Sequence, residues 1–250
     1  MALQEEFEKQ GLWLFRYRGG LPLIILGLGA VMYIHMKMNP ETFFLENTPY
    51  EGWYELLCLL VGLAGLVVRI YTVGHTPVNT SGRNVAEQVA DSLNTTGIYS
   101  LVRHPLYLGN FLMWLGPAML TGNLWFVIAF CLFYWVYYER IMFAEEQFLR
   151  GKFGPAYLDW AKDVPPFFPS FKHFVAPTWP FSWKKVLKKE KNGLAALFII
   201  FFVFNYAGNY VQGTNTFSYP LMIACVATGV MYLILKYLKK YTGVLNEENR

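Results

Sequence analysis

Three groups of ionisable residues lie at the edges of apolar stretches, where a membrane ends and chemistry on a lipid headgroup becomes feasible. The first is Arg103-His104-Pro105-Leu106-Tyr107-Leu108-Gly109. Proline suits the first position of a helix. Arg and His just before it place a cation and a titratable donor near a positive helix end, which suits an anionic ligand group. An interfacial Arg that merely snorkels to water gives the same pattern. The second group is Glu139-Arg140 and Glu145-Glu146, followed by Leu149, Phe153-Gly154 and Tyr157. Glu139, Phe143 and Glu146 share one helical face, with Arg140 beside them. Ionisable residues at that depth are costly unless they pair with each other or with a ligand. A solvated helix with internal ion pairs is the plainer alternative. The third signal is Arg69, which follows thirteen apolar residues from Leu56 to Val68. Snorkelling explains it alone. Together with Arg103 and Arg140 it suggests a cationic cup at the level of the inner headgroups.

The elements that must position these residues are membrane helices. Of 250 residues, 55% are hydrophobic and only 15% charged, against about 25% charged in a soluble domain. Aromatics reach 18%, as expected of a chain anchored at two interfaces. Apolar stretches at 21–38, 53–74, 105–121, 123–139, 194–212 and 217–236 approach the length that crosses about 30 Å of hydrocarbon. The third and fourth are joined only by Thr121-Gly122-Asn123, a tight helical hairpin. With the N-terminus inside, segments 1–20, 69–104, 139–193 and 236–250 hold 20 of the 21 Lys and Arg residues, and only Lys37 lies opposite. The opposite loop, NPETFFLENTPYEGWYE, has four glutamates and no base. The positive-inside rule therefore places both termini in the cytoplasm. The expected fold is all-α: a single polytopic bundle over 1–250 with about six transmembrane helices.

The first twenty residues make a poor signal peptide, with three glutamates before the apolar run, and read as an amphipathic lead-in. Cys58, Cys131 and Cys225 each sit in an apolar stretch and read as small buried side chains, not as a disulfide framework or a zinc site. No metal and no nucleic-acid partner is expected. Two long cytoplasmic segments, 75–104 and 140–193, are the natural place for function. The stretch APTWPFSWKKVLKKEKNG carries Trp179, Trp183 and five lysines, and reads either as a surface-lying anchor for anionic lipid or as a basic flank.

RHPLYLG, followed about 35 residues later by EEQFLRGKFGPAYLDW and then VPPFFP, resembles the isoprenylcysteine carboxyl methyltransferase family of membrane methyltransferases. The resemblance covers about residues 69–170, with 190–250 an additional C-terminal helix pair. It implies S-adenosyl-L-methionine as cofactor, with Gly97, Tyr99, His104, Pro105, Tyr107 and Gly109 lining its pocket and Glu145 and Glu146 completing it. Glu146 would hold the amino-acid end, and Arg103 would stand between cofactor and acceptor. Asp163 stands where the prenylcysteine enzymes commonly have a base, and segment 69–100 looks more like the bacterial branch that methylates lipid A phosphate. That branch implies an inner-membrane enzyme with its active site facing the cytoplasm, the cofactor entering beneath segment 75–104.

Methyl transfer from a sulfonium needs alignment and exclusion of water. An anionic acceptor needs positioning cations but no base, and Arg suits carboxylate or phosphate oxygens bidentately. Arg69, Arg103 and Arg140 thus favour an anionic lipid, and the resemblance to the bacterial branch implies the phosphate of lipid A. A prenylcysteine carboxylate remains an alternative. So does an amine headgroup such as phosphatidylethanolamine, with His104 or Glu146 as base. An NADPH-dependent membrane reductase and a small transporter are the competing classes. The oligomeric state is not legible.

Overall fold

Six of the eight described α-helices start where the chain offers a side-chain acceptor or a proline. The side chains of Asn123, Ser182 and Ser218 accept from the backbone N–H of Phe126, Lys185 and Leu221, satisfying donors that a helix N-terminus leaves free. Prolines open α4 (Pro105–Leu120) and α6 (Pro155–Asp163), where the missing N–H costs nothing. The structure is a computed structural model that describes residues 2–77, 80 and 89–247. Its other helices are α1 (Leu3–Tyr17), α2 (Leu21–Met38), α3 (Glu51–Gly74), α5 (Leu124–Phe153), α7 (Trp183–Val211) and α8 (Tyr219–Tyr241), with 3-10 turns at Pro40–Thr42 and Gly97–Ser100.

Four helices, α3, α5, α7 and α8, are long and apolar enough to cross a membrane. A fifth span results if α1 and α2, bent by 70° at their junction, act as one. The apolar stretch at 105–121 is the shortfall from about six. Its helix α4 has 16 residues, about 24 Å at the α-helical rise. α4 lies tightly against α3. A Cβ on Gly65 would come within 2.4 Å of the Gly109 carbonyl, and one on Gly116 within 2.5 Å of the Cys58 carbonyl. Small residues at both crossings let the two backbones touch, the means by which membrane helices pack closely.

Two readings change at the end of the bundle where Lys and Arg gather. α5 runs 30 residues, so the expected fourth span and the Glu139–Phe153 cluster are one continuous helix. The tryptophan- and lysine-rich stretch is no separate surface helix either, because Trp183 already opens the 29-residue α7. Lys185, 3% exposed, turns inward and donates to the carbonyls of Thr76 and Pro77, tying the start of α7 to the end of α3. Lys191 is also buried.

Lys37, the one base on the side opposite the others, is not an exposed cation. Its Nζ lies 2.7 Å from Glu46 Oε1 and 2.5 Å from Glu51 Oε1, and Gln212, which caps α7, donates to the same Glu46 oxygen. The cluster fastens α2, the following loop, α3 and α7 together. Breaking a buried pair by removing one partner costs about 3–5 kcal/mol. Lys37→Met is therefore expected to lower the unfolding midpoint of purified protein in detergent sharply, and adding Glu46→Gln should recover much of the loss. A single variant as stable as the parent would show the cluster to be dispensable.

Candidate functional site

Backbone hydrogen bonds place the Arg-His-Pro segment before any side chain acts. The VPPFFP tail runs alongside it, and the carbonyls of Pro165 and Pro166 accept from the N–H of Arg103 (2.9 Å) and His104 (3.1 Å). The Leu101 carbonyl accepts in turn from Ser170. Below this, Gly97 (φ +62) makes the sharp entry into the 3-10 turn and donates its N–H to Val175, a conformation few other residues adopt without strain. Trp160 of α6 donates to the Tyr99 carbonyl. These loop segments hold His104 at the N-terminus of α4, facing α5.

There the helix end meets the chain's own acids. His104 Nε2 lies 3.0 Å from Glu146 Oε1, and the Tyr107 hydroxyl donates to Glu145 Oε2 at 2.9 Å. Arg103 Nε is 3.2 Å from Glu146 Oε1, an ion pair in which Nε makes no aligned hydrogen bond. Tyr107 is held from behind, its carbonyl accepting from Tyr134 and its ring packed on Tyr138.

A cavity of about 520 Å³ opens beside this constellation, within the range of small-molecule sites. Tyr99, His104, Pro105, Tyr107 and Glu145 line it, as does Arg103. Gly97, Gly109 and Glu146, expected in the same lining, are not among its walls. Gly97 serves the turn. Gly109 serves the helix crossing, where a Cβ would meet Arg69 Cγ at 2.5 Å. Glu146 sits behind His104 and Arg103. Burial and the nearby Glu145 push the Tyr99 phenol up, and burial with Glu146 does the same for Tyr157. Both stay protonated donors at neutral pH.

The expected three-arginine cup needs correction. Arg69 lines the cavity with Arg103, but it is not a lone cation. Its Nε and Nη2 pair with Glu190 Oε2 and Oε1, each at 2.7 Å, and its Nη1 donates to Asn110 Oδ1 at 2.6 Å. Arg140 lies outside the cavity walls. It pairs with Glu139 at 2.9 Å and stacks over Phe7 at 3.5 Å, because α1 packs on α5 so closely that a Cβ on Gly11 would strike the Arg140 carbonyl.

Several lining residues give no signal in the sequence strong enough to find them. Arg18, just past α1, reaches the cavity because of the bend into α2. Asn110 carries a faint one, as an amide inside an apolar span. Lys189 and Glu190 come from α7, in the pair of helices to which the sequence assigns no role. Of segment 75–104, expected to cover the cofactor, residues 78, 79 and 81–88 lie outside the described residues, while Thr80, Val89, Ala90, Ser92, Leu93 and Asn94 line the cavity.

The phospholipid methyltransferase family model matches residues 55–156, which contain this constellation. The chain is 36% identical over 91 residues to protein-S-isoprenylcysteine O-methyltransferase of Schizosaccharomyces pombe, covering 34% of this chain and 39% of the relative. It is 33% identical over 126 residues to the nickel-cobalt-cadmium resistance protein NccN of Alcaligenes xylosoxydans xylosoxydans, with coverage of 50% and 55%. Against protein-S-isoprenylcysteine O-methyltransferase B of Arabidopsis thaliana it is 30% identical over 144 residues, 54% of this chain and 70% of the relative. The first two matches thus span about half or less of the relatives' own length. No solved structure matches.

Proposed function

We propose, since this chain belongs to the isoprenylcysteine O-methyltransferase family of membrane methyltransferases, that it transfers a methyl group from S-adenosyl-L-methionine to an anionic oxygen of a lipid-linked acceptor. The observation that carries this reading is the His104–Glu146, Tyr107–Glu145 and Arg103–Glu146 constellation beside one cavity.

The residues fit the cofactor on chemical grounds. Arg103 and Tyr157 line the cavity, with the Arg103 Nε beside Glu146 at 3.2 Å and neither that nitrogen nor the Tyr157 hydroxyl in an aligned hydrogen bond. Glu145, facing the cavity, suits an ammonium group, and Arg103 suits a carboxylate. Tyr99, Trp160 and Phe148 offer aromatic walls for a flat purine. S-adenosyl-L-methionine supplies an activated methyl on a sulfonium. The protein therefore has to orient and to exclude water. Glu146 fixes the ring of His104 and the guanidinium of Arg103, and Arg69, held by α4 and α7, faces the acceptor's oxygen. No wall residue need take a proton, because a carboxylate or phosphate is already ionised at neutral pH.

Within that class two acceptors compete: a prenylcysteine carboxylate and the phosphate of lipid A. The names of the relatives favour the carboxylate. Asp163, which weighs against it in the sequence, is exposed at the end of α6 and is not a cavity wall, so its charge does not bear directly on an acceptor there. The deciding experiment gives purified protein labelled S-adenosyl-L-methionine with N-acetyl-S-farnesylcysteine, or with lipid A, in separate reactions. A carboxylate product releases its methyl as methanol in mild base, whereas a phosphate methyl ester survives. Label in neither acceptor, with no binding of S-adenosylhomocysteine, would sink the methyltransferase reading and return the NADPH-dependent reductase to contention.

A further inference from the structure

The walls of the cavity come from two sources. Tyr99, Arg103, His104, Tyr107 and Glu145 belong to the stretch 55–156. Lys189, Glu190, Gly193, Ala196, Leu197 and Ile200 belong to α7, outside it. The α7 residues recur at spacings of three and four, so they form one helical stripe. Its first turn is charged and the rest is apolar or small. A lipid-linked acceptor has the same profile: a polar head joined to an apolar chain.

Glu190 stands at the head of that stripe. Its side chain is 4% exposed, and both oxygens go to Arg69. An Arg has five N–H donors in a rigid fork. Glu190 engages one on Nε and one on Nη2, and Asn110 engages one on Nη1. One N–H on each terminal nitrogen remains, and Arg69 lines the cavity. The guanidinium is thus gripped from α7 on one side and α4 on another, with its outer edge left for a ligand. Arg69 and Arg103 line the cavity as paired cations, Arg69 held by Glu190 and Arg103 by Glu146.

We infer that α7 is the acceptor-specificity element of this enzyme and that Glu190 is its positioning residue, holding Arg69 so that its two remaining N–H groups bind the anionic oxygen of the acceptor while the acceptor's chain lies along the α7 stripe. The inference rests on the methyltransferase reading above. Glu190 does not touch the acceptor. It acts through Arg69, whose flexible stem otherwise lets the fork turn toward water. The cofactor side of the cavity does not depend on it, because none of Tyr99, His104, Tyr107 or Glu145 bonds to Glu190 among the described contacts.

The test is a steady-state comparison of parent, Glu190→Gln and Glu190→Asp with N-acetyl-S-farnesylcysteine and with lipid A as acceptors, alongside calorimetric binding of S-adenosylhomocysteine. Misplacing an orienting group by an ångström can cost about a hundredfold, but a glutamine side chain still offers Arg69 one acceptor oxygen. Glu190→Gln should therefore raise the acceptor KM about tenfold, with kcat and S-adenosylhomocysteine affinity within about twofold of the parent. Glu190→Asp, retaining the charge, should recover part of the loss. A variant whose acceptor KM is unchanged overturns the inference while leaving the methyltransferase reading intact. So does equal loss of acceptor and S-adenosylhomocysteine binding, which assigns Glu190 a structural role only. A variant too unstable to purify is answered by Ala196→Leu, farther along the stripe. It should discriminate against the acceptor with the longer chain, and equal effects on short- and long-chain acceptors overturn the inference. If the parent transfers no methyl to either acceptor and binds no S-adenosylhomocysteine, the underlying reading fails and takes this one with it.

Discussion

Glu146→Ala is expected to weaken binding of S-adenosylhomocysteine about thirtyfold, or about 2 kcal/mol, and to lower turnover with it. The effect follows from what Glu146 holds. One carboxylate oxygen sits between His104 Nε2 at 3.0 Å and Arg103 Nε at 3.2 Å. Removing it frees two side chains and leaves the partly buried Arg103 without its counter-charge. Truncating one partner of a fully buried, hydrogen-bonded charge pair costs about 2–5 kcal/mol. The low end applies, because the Arg103 and Glu146 side chains are 17% and 23% exposed and water screens part of the field. Glu146→Gln keeps an acceptor for His104 and should lose less. The control is Glu145→Gln, which removes charge from the cavity wall itself and should weaken binding without disturbing Arg103. Calorimetry of all three separates the roles: if Glu146→Ala binds as the parent does, the wall does not depend on the residue behind it.

That division between the two glutamates marks how far the sequence can be read. The local geometry of RHPLYLG and EEQFLRGKFG is legible in the sequence, a proline-led helix start in one and a charged helix after an apolar span in the other, but that the two meet is what the family resemblance implies. Which of Glu145 and Glu146 faces the cavity is not, since neighbours on a helix differ by about 100° and only the position of α4 decides between them. Arg140 illustrates the opposite failure. Its place on α5 follows from helical spacing, but Gly11 and Phe7 of α1 draw it away from the cavity, and nothing in an amphipathic lead-in says where it will pack. Lys37 is similar. It breaks the charge pattern of the loops, and its burial between Glu46 and Glu51 explains why the pattern tolerates it. The least legible element is α7. Arg69 and Glu190 are 121 residues apart, and periodicity within a helix carries no information about a partner at that distance. The lysine-rich run points to charge on a surface, whereas the first turns of α7 bring Lys185, Glu190 and Lys191 inward.

Arg69→Ala is expected to reduce methyl transfer about a hundredfold or more while S-adenosylhomocysteine binds within about twofold of the parent, the loss typical of removing one preorganised donor from a reacting oxygen. The single variant has a confound that must be separated. It strands Glu190, 4% exposed, as a buried carboxylate whose described partner is gone, and such a charge is strongly destabilising. Loss of transfer by itself then does not distinguish a displaced α7 from a lost contact with the acceptor. Arg69→Met combined with Glu190→Gln removes the charge of both partners together. Replacing a buried pair by neutral groups of similar volume is often harmless to stability, and Met fills most of the space that Gly109 leaves for the stem of Arg69. If the double variant unfolds at the parent's temperature, binds S-adenosylhomocysteine and still fails to transfer, the guanidinium itself serves the acceptor. If it regains transfer, the pair is a fastening between α3 and α7, and Arg103 is left as the cation that meets the acceptor. Cofactor binding discriminates further, because Arg69 contacts α4 through Asn110, one turn beyond the Tyr107 that holds Glu145. A variant that loses both activities has disturbed α4 as a whole. One that loses transfer alone has lost the acceptor's anchor.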